Sequence, residues 1–121
     1  MNALVGYAAV LALAAGPVYA DCTYPRAPTR IPDGSTASLD EMMAAKQEVK
    51  EYNDATSAYL SCIQQERDDA IAKQGDKISA PDRAKLEHIE AEKHNAAIAQ
   101  LQGIADRFNE QVRAFKAKNK N

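Results

Sequence analysis

A chain of 121 residues with 15 basic and 17 acidic side chains carries a formal charge of -2, too balanced for the broad basic face that nucleic-acid binding needs. The two cysteines cannot form a structural zinc site without histidines brought in from elsewhere. The length fits one small domain.

The run from Ala3 to Ala15 is almost wholly apolar, Gly16-Pro17 breaks any helix, and Val18-Tyr19-Ala20 has the layout that a signal peptidase reads. The pattern predicts a leader over residues 1–20, cleaved between Ala20 and Asp21, with an uncleaved anchor as the alternative. That alternative rests on length: the segment sits near the lower limit of the roughly 17 to 25 apolar residues that span a bilayer. It also rests on the arginines, because none precedes the segment while Arg26 and Arg30 follow it. Tyr19-Ala20-Asp21 before Cys22 lacks the small residue expected ahead of a lipid-attached cysteine. After cleavage no stable membrane insertion is expected.

Cys22 and Cys62 both follow the leader, and export brings them to a compartment that oxidises thiols. One intramolecular disulfide is predicted, with intermolecular pairing as the rival. Their spacing is too long for a redox Cys-x-x-Cys pair.

Residues 21–37 form a proline-rich stretch. Pro25, Pro28 and Pro32 exclude both helix and central strand, so an extended arm is expected. Asp33-Gly34 supplies turn chemistry, and Ser38-Leu39-Asp40-Glu41 fits a capping box. A first helix is predicted over about 39–74. Its apolar seam steps by three and four through Met42, Ala45, Val49, Tyr52, Thr56, Tyr59 and Ile63.

Gly75 ends that run. Ser79 can cap a second helix, Pro81 suits its first turn, and Asp82 opposes the helix dipole. The second helix is predicted over about 81–118, with a seam through Ala91, His94, Ile98, Leu101, Ala105, Phe108, Val112 and Phe115. Gly103 interrupts it and leaves room for a neighbour to approach. Lys116, Lys118 and Lys120 suit the negative end of the dipole.

Two helices joined by so short a connection fold back on each other, each about 50 Å long. The predicted fold is all-α: a long antiparallel, coiled-coil-like helical hairpin over residues 38–121 with an extended proline-rich arm. Register from the turn places Tyr59 and Ile63 level with His94 and Ile98, and Met42 and Val49 near the Phe108 to Phe115 end. About 36 Å of helix separates Ser38 from Cys62, and the arm can reach about 50 Å, so the disulfide requires the arm to double back along the first helix. Ala55, Ala58 and Cys62 offer a strip of small side chains for it, with Tyr24 or Ile31 as covering residues.

His88 and His94 do not share a helix face, which leaves only Glu92 with His88 or Glu90 with His94 as two-residue metal candidates. No Gly-x-Ser-x-Gly elbow occurs, and carboxylate neighbours such as Asp68-Asp69 and Asp40-Glu41 diverge by about 100° on a helix. No catalytic residue, cofactor or metal is assigned from the sequence, and the chain is read as a non-enzyme.

Pro28-Thr29-Arg30-Ile31-Pro32-Asp33-Gly34, followed by Glu41-Met42 and Tyr59-Leu60-Ser61-Cys62, resembles a group of small signal-peptide-bearing proteins of Gram-negative bacteria. The resemblance covers about 22–62 and implies a periplasmic setting. It brings no activity, because the group has no established function. Leu39, Met43, Leu60, Ile71, Leu86, Ile89 and Ile104 lie off both seams and suggest a further contact. The expected function is contact with itself, as a homo-oligomer, or with an envelope protein. A chaperone-like client binder and a membrane-anchored coiled coil are the alternatives.

Overall fold

The computed structural model describes residues 21–120, and the leader predicted for residues 1–20 lies outside them. The described chain is an extended arm, helix α1 (Leu39–Gln74), a 3-10 turn (Gly75–Lys77) and helix α2 (Ala80–Lys118). The two helices pack against each other as an antiparallel hairpin, and no strand occurs among the described residues.

Each helix starts where its side chains satisfy free backbone donors. At α1 the Ser38 hydroxyl accepts from the Glu41 amide at 3.1 Å, while the Glu41 carboxylate accepts from the Ser38 amide at 2.7 Å. At α2 the Ser79 hydroxyl accepts from the Asp82 amide at 3.2 Å, with Pro81 in the first turn. Gly75 ends α1 at φ 56°, a backbone conformation that glycine adopts without strain. Lys116 and Lys118 lie in the last turn of α2, where cations complement the dipole.

The core is a thin line along α1. Met42, Ala45, Tyr52, Thr56, Tyr59 and Ile63 are buried, and Val49 is half-buried between them. Thr56 is fully enclosed, and its hydroxyl is satisfied by donating to the Tyr52 carbonyl one turn back at 2.8 Å. Register follows the turn: Arg67 of α1 pairs with Glu90 of α2 at 3.2 Å, and Tyr59, Ile63 and Ala97 form one cluster.

The buried line of α2 departs from the expected one. Its two buried residues are Ala97 and Ile104, whereas Ile98, Ala105 and Val112 are half-buried and Ala91 is exposed. At 100° per residue the line through Ala97 and Ile104 lies about 70° from the predicted seam. The cause is the arm, which covers the flank carrying Ala97, Ile104 and Gln111 and leaves the flank carrying Ala91, Ile98, Ala105 and Val112 open. Ile104 is therefore a core residue, not an off-seam one.

Candidate interaction surface

The arm doubles back along α1 and is fixed at both ends. At its start Cys22 is bonded to Cys62, with Cα atoms 5.7 Å apart and sulfurs 2.02 Å apart. The bond closes a loop of sequence separation 40 within one chain, the intramolecular pairing expected from the sequence. The Glu66 carboxylate lies 3.3 Å from the Cys22 sulfur, a contact rather than a hydrogen bond, because a disulfide sulfur carries no proton.

Tyr24 follows and touches both helices. Its ring meets Tyr59 edge-on at 5.1 Å between centroids, and its hydroxyl donates to Gln100 of α2 at 2.8 Å. Pro25 is buried beside it, against the strip of small residues that includes Ala55 and Ala58. Tyr24 is thus the covering residue near Tyr59, and Ile31 is half-buried farther along the arm.

At its far end the arm turns on Asp33, whose carboxylate accepts from the Ser35 amide at 2.9 Å and the Ser35 hydroxyl at 2.6 Å. These two bonds, with help from Lys118, hold the Asp33 carboxyl below the usual carboxylate range. The bonds to Ser38 do the same for Glu41. Gly34 is buried where the turn meets α2: its amide donates to the Gln111 side chain at 2.9 Å, and a β-carbon there would fall on the Gln111 carbonyl oxygen. Lys118 closes this end by donating to the Ala37 carbonyl at 2.7 Å while lying 5.1 Å from the centre of the Phe115 ring.

Beneath the arm, burial pushes the Tyr52 and Tyr59 phenols above their ordinary pKa, with Tyr24 adding to the effect in both. Both rings are therefore neutral across the physiological range. The Tyr52 hydroxyl is enclosed without a hydrogen-bond partner among the described residues.

The opposite face of the hairpin has no arm over it. A groove there is lined by Leu60, Ser61 and Gln64 of α1 and by Ala91, His94 and Asn95 of α2, floored by the Arg67–Glu90 pair. Toward the open end of the hairpin, Leu39 and Met43 share one side of α1 and are 61% and 55% exposed.

His88 lies 3.2 Å from Glu92 on exposed surface, and Glu90 is engaged by Arg67 rather than by His94. No group of three or more His, Cys, Asp or Glu that could hold a metal occurs among the described residues. Among the described residues nothing lies within 4 Å of where a β-carbon at Gly103 would sit, so the room that it leaves is not used by the arm or by α1. No family model, curated protein or solved structure matches the chain. Among the described residues no helix is long and apolar enough to cross a membrane.

What the sequence missed is polar. Gln100 and Gln111 hold the arm on α2, and an amide side chain gives no signal in a hydrophobic periodicity. Gly34 carried a partial signal as a turn residue, but not its contact with a helix 77 positions away.

Proposed function

We propose that the chain is an exported, non-enzymatic protein of the periplasm whose disulfide-strapped hairpin works by protein contact through the face opposite the arm. The observation that carries this reading is the unequal treatment of the two faces. One is covered by the arm and locked by the Cys22–Cys62 bond, while the other presents half-buried Ile98, Ala105 and Val112 with exposed Met43 and Leu39 beside them. Burying such residues against a partner removes apolar surface from water at roughly 25 cal/mol per Å².

The disulfide supports export, because such bonds persist in oxidising compartments and are rare in the cytosol. The leader pattern before Asp21 agrees with it. Intact mass of the protein from a periplasmic fraction is expected to correspond to a chain starting at Asp21 with one disulfide. A mass that includes residues 1–20, or free thiols, would overturn the export reading.

The contact reading is tested in cells with a photo-crosslinking residue at Gln64, in the open groove, and separately at Arg26, on the arm. Adducts from position 64 with few from position 26 are expected. No adduct from position 64 sinks the reading.

A further inference from the structure

We infer that the occupant of the open face is a second copy of this chain, packed antiparallel so that the open end of one hairpin lies over the turn end of the other. This rests on the contact reading and narrows it to one partner.

The open face is its own complement. For two identical faces to meet antiparallel, a two-fold axis must lie in the interface and cross both helices at one level. The Arg67–Glu90 pair sets that level: Ser57 stands opposite the residues just before Leu101. With the axis near Ser57 and Leu101, each copy of α1 lies on its counterpart, and likewise for α2.

Charges then match. Lys46 lies eleven residues before Ser57 and Asp68 eleven after it, both toward the open face, so Lys46 of each copy meets Asp68 of the other. On α2, Glu87 lies fourteen residues before Leu101 and Lys116 fifteen after it, and the same axis brings them together. Asp68 and Glu87 already touch Arg67 at 3.0 Å and Arg83 at 3.7 Å, yet both carboxylates remain more than half exposed and can accept further bonds.

Shapes match under the same axis. The stripe on α2 reads Ala91, Ile98, Ala105, Val112, and reversal sets Ala91 against Val112 and Ile98 against Ala105, small against large at both levels. On α1, exposed Met43 meets half-buried Ile71. Between these pairs the rim on α1 is mostly uncharged, with Asn53, Ser57 and Gln64, and the axis sets exposed Lys50, seven residues before Ser57, against Gln64, seven after it; on α2 Gln102 and Asn109 flank the exposed Asp106. The available area is also adequate: two helices about 20 Å wide over about 50 Å give about 1,000 Å² per copy, against about 800 Å² in a standard stable interface. The product is a four-helix bundle with an arm on each outer face.

Sedimentation equilibrium of the oxidised protein, from about 1 μM to about 1 mM, is expected to give twice the chain mass at the upper end. Non-reducing electrophoresis in denaturant should still give a single-chain band. Ile98→Asp should yield a monomer with unchanged helical circular dichroism, since Ile98 is not a core residue. Lys46→Glu should weaken the dimer by about tenfold, because the altered contact occurs twice. Lys46→Glu with Asp68→Lys should recover most of the loss, an outcome that misfolding would not produce. Mixed isotope-labelled and unlabelled protein should show nuclear Overhauser contacts between the Ile98 and Ala105 methyls of different copies.

A monomer throughout, or a dimer indifferent to Ile98→Asp and Lys46→Glu, overturns the inference. In the Gln64 crosslinking experiment an adduct of twice the chain mass supports it. Adducts with other proteins alone overturn the second-copy assignment and leave the contact reading standing.

Discussion

The two helices are nearly equal in length, yet α1 has six buried residues and α2 has two. The difference lies in their neighbours. α1 is flanked by α2 on one side and by the arm on the next, so its buried residues are enclosed from two directions. α2 is gripped by the arm along a narrower line, at Gln100 and Gln111, and its opposite flank is left half-covered. A two-helix hairpin buries only one stripe per helix, so the third segment decides which flank becomes core.

The largest way to break this asymmetry is to free the arm. Cys22→Ser with Cys62→Ser removes a bond that closes a loop of sequence separation 40, worth about 4 kcal/mol in the chain-entropy model. The urea midpoint is expected to fall accordingly. Hydrogen exchange should accelerate at arm and mid-helix amides before it does at the turn end of the hairpin. If α1 and α2 amides respond equally, the arm is not the source of their difference.

The next test sets the flanks of α2 against each other. Ile104, 3% exposed, lies under the arm, while Ile98 lies on the open side. Ile104→Ala is expected to cost about 3 kcal/mol and Ile98→Ala about 1 kcal/mol, measured by denaturant unfolding at concentrations low enough to keep the chain monomeric. The seam read from sequence alone requires the reverse order.

A third comparison uses two glycines. Gly34→Ala places a methyl on the Gln111 carbonyl and should destabilise by about 2 kcal/mol through displacement of the turn from α2. Gly103→Ala meets nothing within 4 Å and should stabilise by about 1 kcal/mol, since alanine is the better helix former. Thermal unfolding midpoints moving in opposite directions would confirm that close approach, rather than glycine itself, matters at position 34.

These contrasts explain what was legible in the sequence. The Met42 to Ile63 seam, the Ser38–Glu41 capping box and the doubling back of the arm toward Cys62 were readable because each rests on local spacing or chain length. The phase of α2 was not. Ala97-Ile98 and Ile104-Ala105 are adjacent apolar pairs, so periodicity alone allows either member of each pair to face inward. The choice is made by polar contacts from the arm, Tyr24 to Gln100 and Gly34 to Gln111, and by Lys118 on Ala37, all of which join residues far apart in the chain. The open face was foreshadowed only by the surplus of apolar residues off the seams. Its position follows from where the arm lies.

The smallest effects appear only away from neutral pH, and they separate the ends of the arm. Asp33 and Glu41 have carboxyls held below their ordinary values by hydrogen bonds at the turn and the first cap. Their contribution is therefore complete above about pH 5 and is lost as pH falls through the lowered folded-state values. Both groups are exposed, so the expected result is local: faster amide exchange around Ser35, Ser38 and Glu41 in acid, with the Tyr59 region still protected. Tyr52 and Tyr59 work in the opposite direction. Their raised values mean that the folded chain keeps protons which the unfolded chain releases, so stability is intact below about pH 10 and declines as pH rises through the folded-state values. Phenolate absorbance should then lag for two of the described tyrosines and appear together with loss of helical circular dichroism. If acid first opens the Tyr59 region, or alkali ionises every tyrosine without unfolding, the arm does not enclose α1 in the way that separates it from α2.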